Sequence, residues 1–318
     1  MDLIYTDARR IDQGVIPTYA FDLSYGAEEN DYEITIGADD VTLESGAVIY
    51  IEGTDYGGIV DGLKASTNGA TVTYMGRTWH GIMNSKIIQP DSGADYYVVS
   101  GEANSVLSAL VSRLKLWSLF SVSQSDSGVN ISRYQFNRFC KGYDGIRAML
   151  AANGAKLKIR WENRSVVLSV EPIVDYTEFP VDGDIATLTV EQHQKKVNHL
   201  ICLGKGDLAK REVIHLYVDQ FDRIGKTQYY TLIEEICDTY DNSNSDDLEK
   251  DGIAHLTELR SIDNAEIALP EAEGLSYDIG DIVGAKEMKT GISVTAAVSQ
   301  KIVKINNGAV STEYKTGG

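Results

Sequence analysis

The sequence predicts an α+β, β-rich protein in which two small β-barrel-like domains flank an inserted α/β domain. Three observations carry this expectation. Eighteen Tyr stand against six Phe and three Trp, with abundant Gly, Thr and Val, a composition suited to pleated structure. Hairpins can be registered residue by residue near both ends of the chain and in its middle. Helical periodicity replaces the strand period only in limited stretches. The resulting boundaries are 1–95 for the first barrel-like domain and 96–178 for the inserted α+β domain. Residues 179–318 form the second barrel-like domain, with a helical insertion near 227–260.

In the first part, Tyr32, Ile34 and Ile36 alternate with Glu33 and Thr35, and Val48-Ile49-Tyr50-Ile51 forms a run between Gly46 and Gly53. A hairpin follows over Ile59–Arg77. Asn68-Gly69 suits a two-residue turn in which both positions need positive φ. That turn sets Ala65 opposite Val72, Lys64 opposite Thr73 and Leu63 opposite Tyr74, with one face apolar and the other polar. Asn307-Gly308, followed by Ala309, Val310 and Tyr314, echoes the same pattern near the C-terminus.

From Asn104, a candidate cap, Val106, Leu107, Leu110, Val111 and Leu114 recur at helical spacing. Asp144 can cap a second helix with Ile146, Met149 and Leu150 on its buried stripe, and Gly154 ends it. A hairpin turning at Asn163-Arg164 pairs Trp161 with Val166, Ile159 with Leu168 and Leu157 with Val170. After Pro180, strands are expected over Ala186–Val190, His199–Leu203 and Val213–Val218. Two amphipathic helices are expected next, one carrying Tyr229, Leu232, Ile233 and Ile236, the other Leu248, Ile253, Leu256 and Leu259. Ser245 is the candidate cap of the second. Strands and turns run from Ile262 to the end.

The formal net charge is −18, and it is unevenly spread. Residues 1–95 hold 5 basic and 16 acidic side chains, net −11; 96–178 hold 10 and 7, net +3; 179–318 hold 14 and 24, net −10. Such a surface repels nucleic acid rather than retaining it. No stretch approaches the roughly 20 apolar residues that span a bilayer, and Met1–Arg10 lacks an apolar signal core. The chain is therefore expected in a cytoplasm, without membrane insertion. Cys140, Cys202 and Cys237 are odd in number and far apart, so a disulfide framework is not expected.

Few constellations suggest chemistry. His193, His199, Cys202 and His215 are the one sequence-local gathering of soft ligands, but His199 and Cys202 are three apart in a strand run and should face opposite sides. Cys140 has no nucleophile-type flanking sequence. Gly57-Gly58 and Gly204-Lys205-Gly206 lack the lysine and hydroxyl spacing of a phosphate loop. Trp79-His80 reads as a packed aromatic beside a polar neighbour. The carboxylates read as solvated surface, although counting alone leaves a glycosidase-like pair open. No catalytic, cofactor-binding or metal-binding residue is assigned, and no enzyme activity or cofactor is expected.

Three stretches together resemble the baseplate-hub and tail-associated structural proteins of tailed bacteriophages. They are Gly58–Ile88, with Thr71–Arg77 running into Thr78-Trp79-His80-Gly81-Ile82-Met83; Tyr143–Leu150 followed by Leu157–Val170; and Tyr277–Val283 leading to Val298–Tyr314. The resemblance implies a homotrimer whose two barrel-like domains per subunit make a pseudo-sixfold ring. Such a ring would continue the tail tube and connect it to the tail tip. The implied partners are the tail tube or distal tail protein, the tape measure protein and tail-tip or spike proteins, with DNA only passing through the channel. The implied location is the virion tail, assembled in the host bacterial cytoplasm. The chain ends at Gly318 after the second barrel-like part, so lytic or puncturing activity is expected on another chain. A carbohydrate-binding adhesin or an acidic polysaccharide hydrolase of a phage tail remain alternatives at this point.

Overall fold

In a computed structural model, the structure describes residues 1–66, 69–178, 181–182, 187–191, 196–243, 245, 247–261, 264–270, 276–286, 293–306 and 308–316. The chain divides into two compact units, Met1–Leu188 with Glu266–Gly318, and Thr189–Ala265.

The larger unit is built on one extended sheet. From Asn264–Pro270 its strands run in the order Ala309–Thr316, Ser293–Asn306, Tyr19–Gly26, Asp31–Gly37, Thr71–Thr78, Gly57–Ala65, Val48–Tyr50, Leu3–Thr6 and Asp12–Ile16. The long strand Ser293–Asn306 links the C-terminal strands to the N-terminal ones. Its first half pairs with Ile282–Lys286, from Ile282 opposite Ala297 to Lys286 opposite Ser293. Its second half pairs with Tyr19–Gly26, from Gln300 opposite Gly26 to Asn306 opposite Ala20. Buried Gln300 fixes this changeover: its amide nitrogen donates to Ser24 Oγ at 2.6 Å and to the Glu29 carbonyl at 3.0 Å.

The α+β, β-rich class stands, but among the described residues no sheet closes into a barrel. The reason is the pairing just described. The edge of Tyr19–Gly26 is taken by a strand from the C-terminal part, so the two expected barrels share one open sheet.

The hairpin registers are as the sequence predicts. Ala65 lies opposite Val72, Lys64 opposite Thr73 and Leu63 opposite Tyr74. Gly69 does not take the positive φ that the expected Asn68-Gly69 turn needs; its N–H instead donates to the Ser66 carbonyl at 2.9 Å, and Thr67 and Asn68 lie outside the described residues. A bulge lies between Val60 and Gly62, and beyond it Leu63 is exposed while Tyr74 is buried. In the middle hairpin Trp161–Val166, Ile159–Leu168 and Leu157–Val170 are all paired. Asn163 (φ 51°) and Arg164 (φ 64°) both adopt the left-handed conformation that a two-residue turn requires.

Helix α1 (Trp79–Asn84) follows Thr71–Thr78, its first turn capped by Thr78 Oγ1 accepting from the Gly81 N–H. Helix α2 (Ala103–Arg113) buries Val106, Leu107, Leu110 and Val111. Its cap is Glu102, not Asn104. Asn104 is buried and its amide is committed elsewhere, accepting from the Val170 N–H and donating to the Ser125 carbonyl. Helix α3 (Gly142–Ala151) begins two residues before Asp144, which lies in its first turn, and Gly154 follows its end at φ 68°. Gly142 sets the earlier start: its N–H donates to the Lys86 carbonyl at 2.7 Å, and a Cβ there would stand 2.4 Å from the Met83 carbonyl oxygen. These helices pack with the middle hairpin, Trp79 and Met83 into one core. A second core lies beneath the N-terminal strands and includes Val303 and Ile305.

The smaller unit is a four-stranded sheet in the order Ile224–Gly225, Val213–Val218, His199–Leu203, Cys237–Asp241, with helix α4 (Leu248–Ser261) on one face. Leu200, Cys202, Leu216 and Val218 pack with Leu248 and Leu256 of that helix. The Asp247 carboxylate accepts from the Lys250 N–H, and Ser245 Oγ accepts from the Asp247 N–H, so Asp247 caps the helix and Ser245 supports the cap. The other expected helix, around Tyr229–Ile236, is absent. Leu232–Glu234 is a single 3₁₀ turn, and Leu232 and Ile233 are 88% and 94% exposed. Without a surface to bury that stripe, the chain extends into Cys237–Asp241, which pairs parallel to His199–Leu203.

Candidate functional site

Among the described residues, two clusters of polar side chains join segments far apart in sequence. The first is a buried joint in the larger unit. Lys156, on the middle hairpin, donates to both oxygens of Asp281 at 2.8 Å and to Asp278 at 3.0 Å; Lys158 reaches both oxygens of Asp278 at 2.7 Å. Asp281 is completely buried and also accepts the N–H groups of Val174 and Asp278. Two lysines thus balance two aspartates, and every carboxylate oxygen is bonded. Burial alone would lower the Lys156 pKa, but the two aspartates outweigh it and raise it; burial would raise that of Asp278, yet Lys158 and Lys156 hold it down. Such a site fixes geometry, each carboxylate oxygen being held by a lysine.

Nearby Lys301 is buried, 3.6 Å from Asp55, with the rings of Tyr25, Tyr56 and Tyr314 around its ammonium. Asp55 also accepts the Tyr25 hydroxyl at 2.5 Å. His80 stacks on Tyr25 with centroids 4.2 Å apart and meets the edge of Tyr143 at 5.0 Å. Burial, helped by Lys301 and opposed by Asp55, lowers its pKa to about 3, so His80 is a neutral packing residue. Trp79, its neighbour, stacks on Trp161 at 5.3 Å, and Trp161 stacks on Tyr50 at 4.2 Å. The Trp79-His80 pair is packing, as its sequence suggests.

The second place lies on the face of the smaller sheet opposite helix α4. His199 and Cys202 do face opposite sides: Cys202 packs under α4 while His199 projects from the other face. His199 is instead joined there by His215 and by Glu235 and Cys237, which the sequence did not place beside it. Its Nδ1 lies 2.6 Å from Glu235 Oε1 and 3.2 Å from Cys237 Sγ. Its Nε2 lies 2.8 Å from His215 Nδ1, and its ring stacks on Tyr217 at 4.3 Å. Gln228 donates to the same Glu235 oxygen at 2.9 Å. His193 lies outside the described residues.

The arrangement is not that of a Cys–His nucleophile. In such a pair the histidine takes the thiol proton on one nitrogen and is oriented through the other. Here thiol and carboxylate meet the same nitrogen. Burial and the Glu235 carboxylate also push the Cys237 thiol above its ordinary pKa, away from a thiolate. Cys140, also raised by burial, has no histidine partner among the described contacts.

Whole-fold comparison shows the class of architecture to which these parts belong. The chain has the fold of phage tail and baseplate proteins. The 43 kDa tail protein of prophage MuSo2 from Shewanella oneidensis matches over 100% of this chain and 98% of its own, with a TM-score of 0.60 and 11% identity. Prophage tail protein gp18 from Listeria monocytogenes matches over 99% and 94%, at TM-score 0.57 and 12% identity. A chain of the phage P2 baseplate in its activated conformation matches over 100% and 99%, at TM-score 0.53 and 9% identity. No family model matches the sequence, and no curated protein matches it.

Proposed function

We propose that this chain is a structural protein of a phage tail or phage-like injection particle. It would act as a baseplate hub, forming a homotrimeric ring that continues the tail tube and connects it to the tail tip. One observation carries the reading: the likeness to phage tail and baseplate proteins spans essentially the whole chain, with little of either chain left over. Residues 1–95, 96–178 and 179–318 would serve as the first hub domain, the inserted domain and the second hub domain. The open sheet shared by the first and third supports a ring-building role, because it holds two tube-like segments of one subunit in a fixed register.

In this reading the tube or distal tail protein, the tape measure protein and tip or spike proteins are the neighbours. The protein acts in the virion tail after assembly in the host cytoplasm, and DNA passes without stable binding. No enzymatic step is assigned. The test is the particle itself. Light scattering on the purified chain should give three times the 34.9 kDa subunit mass, and images along the symmetry axis should show a pseudo-sixfold ring. A stable monomer that fails to join tube protein would overturn the hub reading.

A further inference from the structure

We propose that His199, Glu235 and Cys237 form a binding site for a zinc-class divalent ion. The site is independent of the hub reading. The three donor atoms, His199 Nδ1, a Glu235 carboxylate oxygen and Cys237 Sγ, lie within 4.8 Å of one another. One ion bound at about 2.0–2.3 Å can reach all three. The donor set is nitrogen, oxygen and thiolate sulfur, which suits zinc and its analogues rather than calcium or magnesium.

The backbone explains why these residues meet. His199 and Cys237 are direct partners across the parallel pair of His199–Leu203 and Cys237–Asp241. Glu235 precedes Cys237 by two residues in an extended segment, so both side chains project to the same side. The register therefore places a Glu-x-Cys pair against a facing histidine. His215 completes the arrangement from outside the ligand set. With His199 Nδ1 on the metal, its Nε2 carries the proton and donates it to His215 Nδ1, already 2.8 Å away. A second partner of this kind fixes the tautomer and ring orientation of a metal-bound histidine. The convergence of thiol and carboxylate on one imidazole nitrogen, awkward for a nucleophile, is what a shared ion requires. A fourth position would be left open to solvent.

The role is structural. Cys237–Asp241 is an edge strand, mostly exposed, held to the sheet on one side only. An ion bridging Cys237 and Glu235 to His199 clamps that edge.

Cobalt(II) titration of the full-length protein tests the site. We expect a thiolate-to-cobalt charge-transfer band and tetrahedral-type visible absorption that saturate at one equivalent per chain and are displaced by zinc. Cys237→Ser should abolish the charge-transfer band; its side chain is exposed, so the fold should survive. His215→Ala should weaken binding about 10- to 100-fold without removing the band. His255→Gln, which alters a ring stacked on Tyr240 away from the cluster, should change nothing. Absence of a saturating signal in the wild-type protein, or a charge-transfer band that persists in Cys237→Ser, would overturn the proposal.

Discussion

Lys156 donates to both carboxylate oxygens of Asp281 at 2.8 Å, and the two side chains are 4% and 1% exposed. They are 125 residues apart, so this pair ties the middle hairpin to the segment that leads into the last strands. Removing one partner leaves a buried charge uncompensated. Lys156→Met is expected to destabilise the larger unit by about 3–5 kcal/mol, read by denaturant melts. Replacing both partners, in Lys156→Met with Asp281→Leu, should recover much of that loss. A double variant whose loss equals the sum of the two single losses would show that the two side chains do not act as a pair.

The same joint sets a pH response with two signs. Asp278 is held below its ordinary pKa, so its contribution is present above the unfolded carboxylate range and is lost as pH falls through the folded value. Lys156 is held above its ordinary pKa, so its contribution is present below the unfolded lysine range and is lost as pH rises through the folded value. Midpoint measurements across pH should therefore fall at both extremes, and Lys158→Met should blunt the acidic arm.

Glu102 gives a separate acidic transition. Burial would raise its pKa, but the Ser127 hydroxyl at 2.5 Å and the N–H groups of Asn104, Ser127 and Ser105 outweigh it, lowering it to about 2. This contribution is complete above about 4.5 and disappears as pH drops towards about 2. Glu102→Ala should cost about 0.5–2 kcal/mol at neutral pH, as for other lost helix caps. Its unfolding midpoint should also vary less with acid than the wild type's.

Gly76 is required by contact. A Cβ there would lie 1.8 Å from the Ile59 carbonyl oxygen, which is backbone and cannot rotate away. Gly76→Ala is expected to cost at least about 1–3 kcal/mol by forcing Gly57–Ala65 and Thr71–Thr78 apart. An unchanged melting temperature would show that this strand pair tolerates displacement.

The acids concentrated in 1–95 and 179–318, net −11 and −10, make a prediction about the ring proposed above. If those parts surround the channel, an acidic wall lets phosphate pass without releasing counterions to bind it. A map of the assembled particle should show acidic side chains on the lumen and the net +3 middle part outside. A neutral or basic wall would remove the lumen idea and leave the rest intact.

What the sequence determined by itself was local. Period-two alternation over Tyr32–Ile36, the Asn163-Arg164 turn with its three apolar pairs, and the helical stripe of Ile146, Met149 and Leu150 all specify neighbours a few residues apart. Side-chain direction follows directly from that spacing. The tertiary structure decided the rest. It gave Glu102 the cap because Asn104 was needed by Val170, and it unwound the Leu232–Ile236 stripe because no surface covers it. It merged two expected barrels through the pairing of Ser293–Asn306 with Tyr19–Gly26. It also brought Glu235 and Cys237, 36 and 38 residues along the chain, onto His199. None of these is visible in spacing, because a parallel pair or a sheet edge is chosen by competition among distant surfaces for burial and hydrogen bonds, and that competition is settled only when the chain is folded.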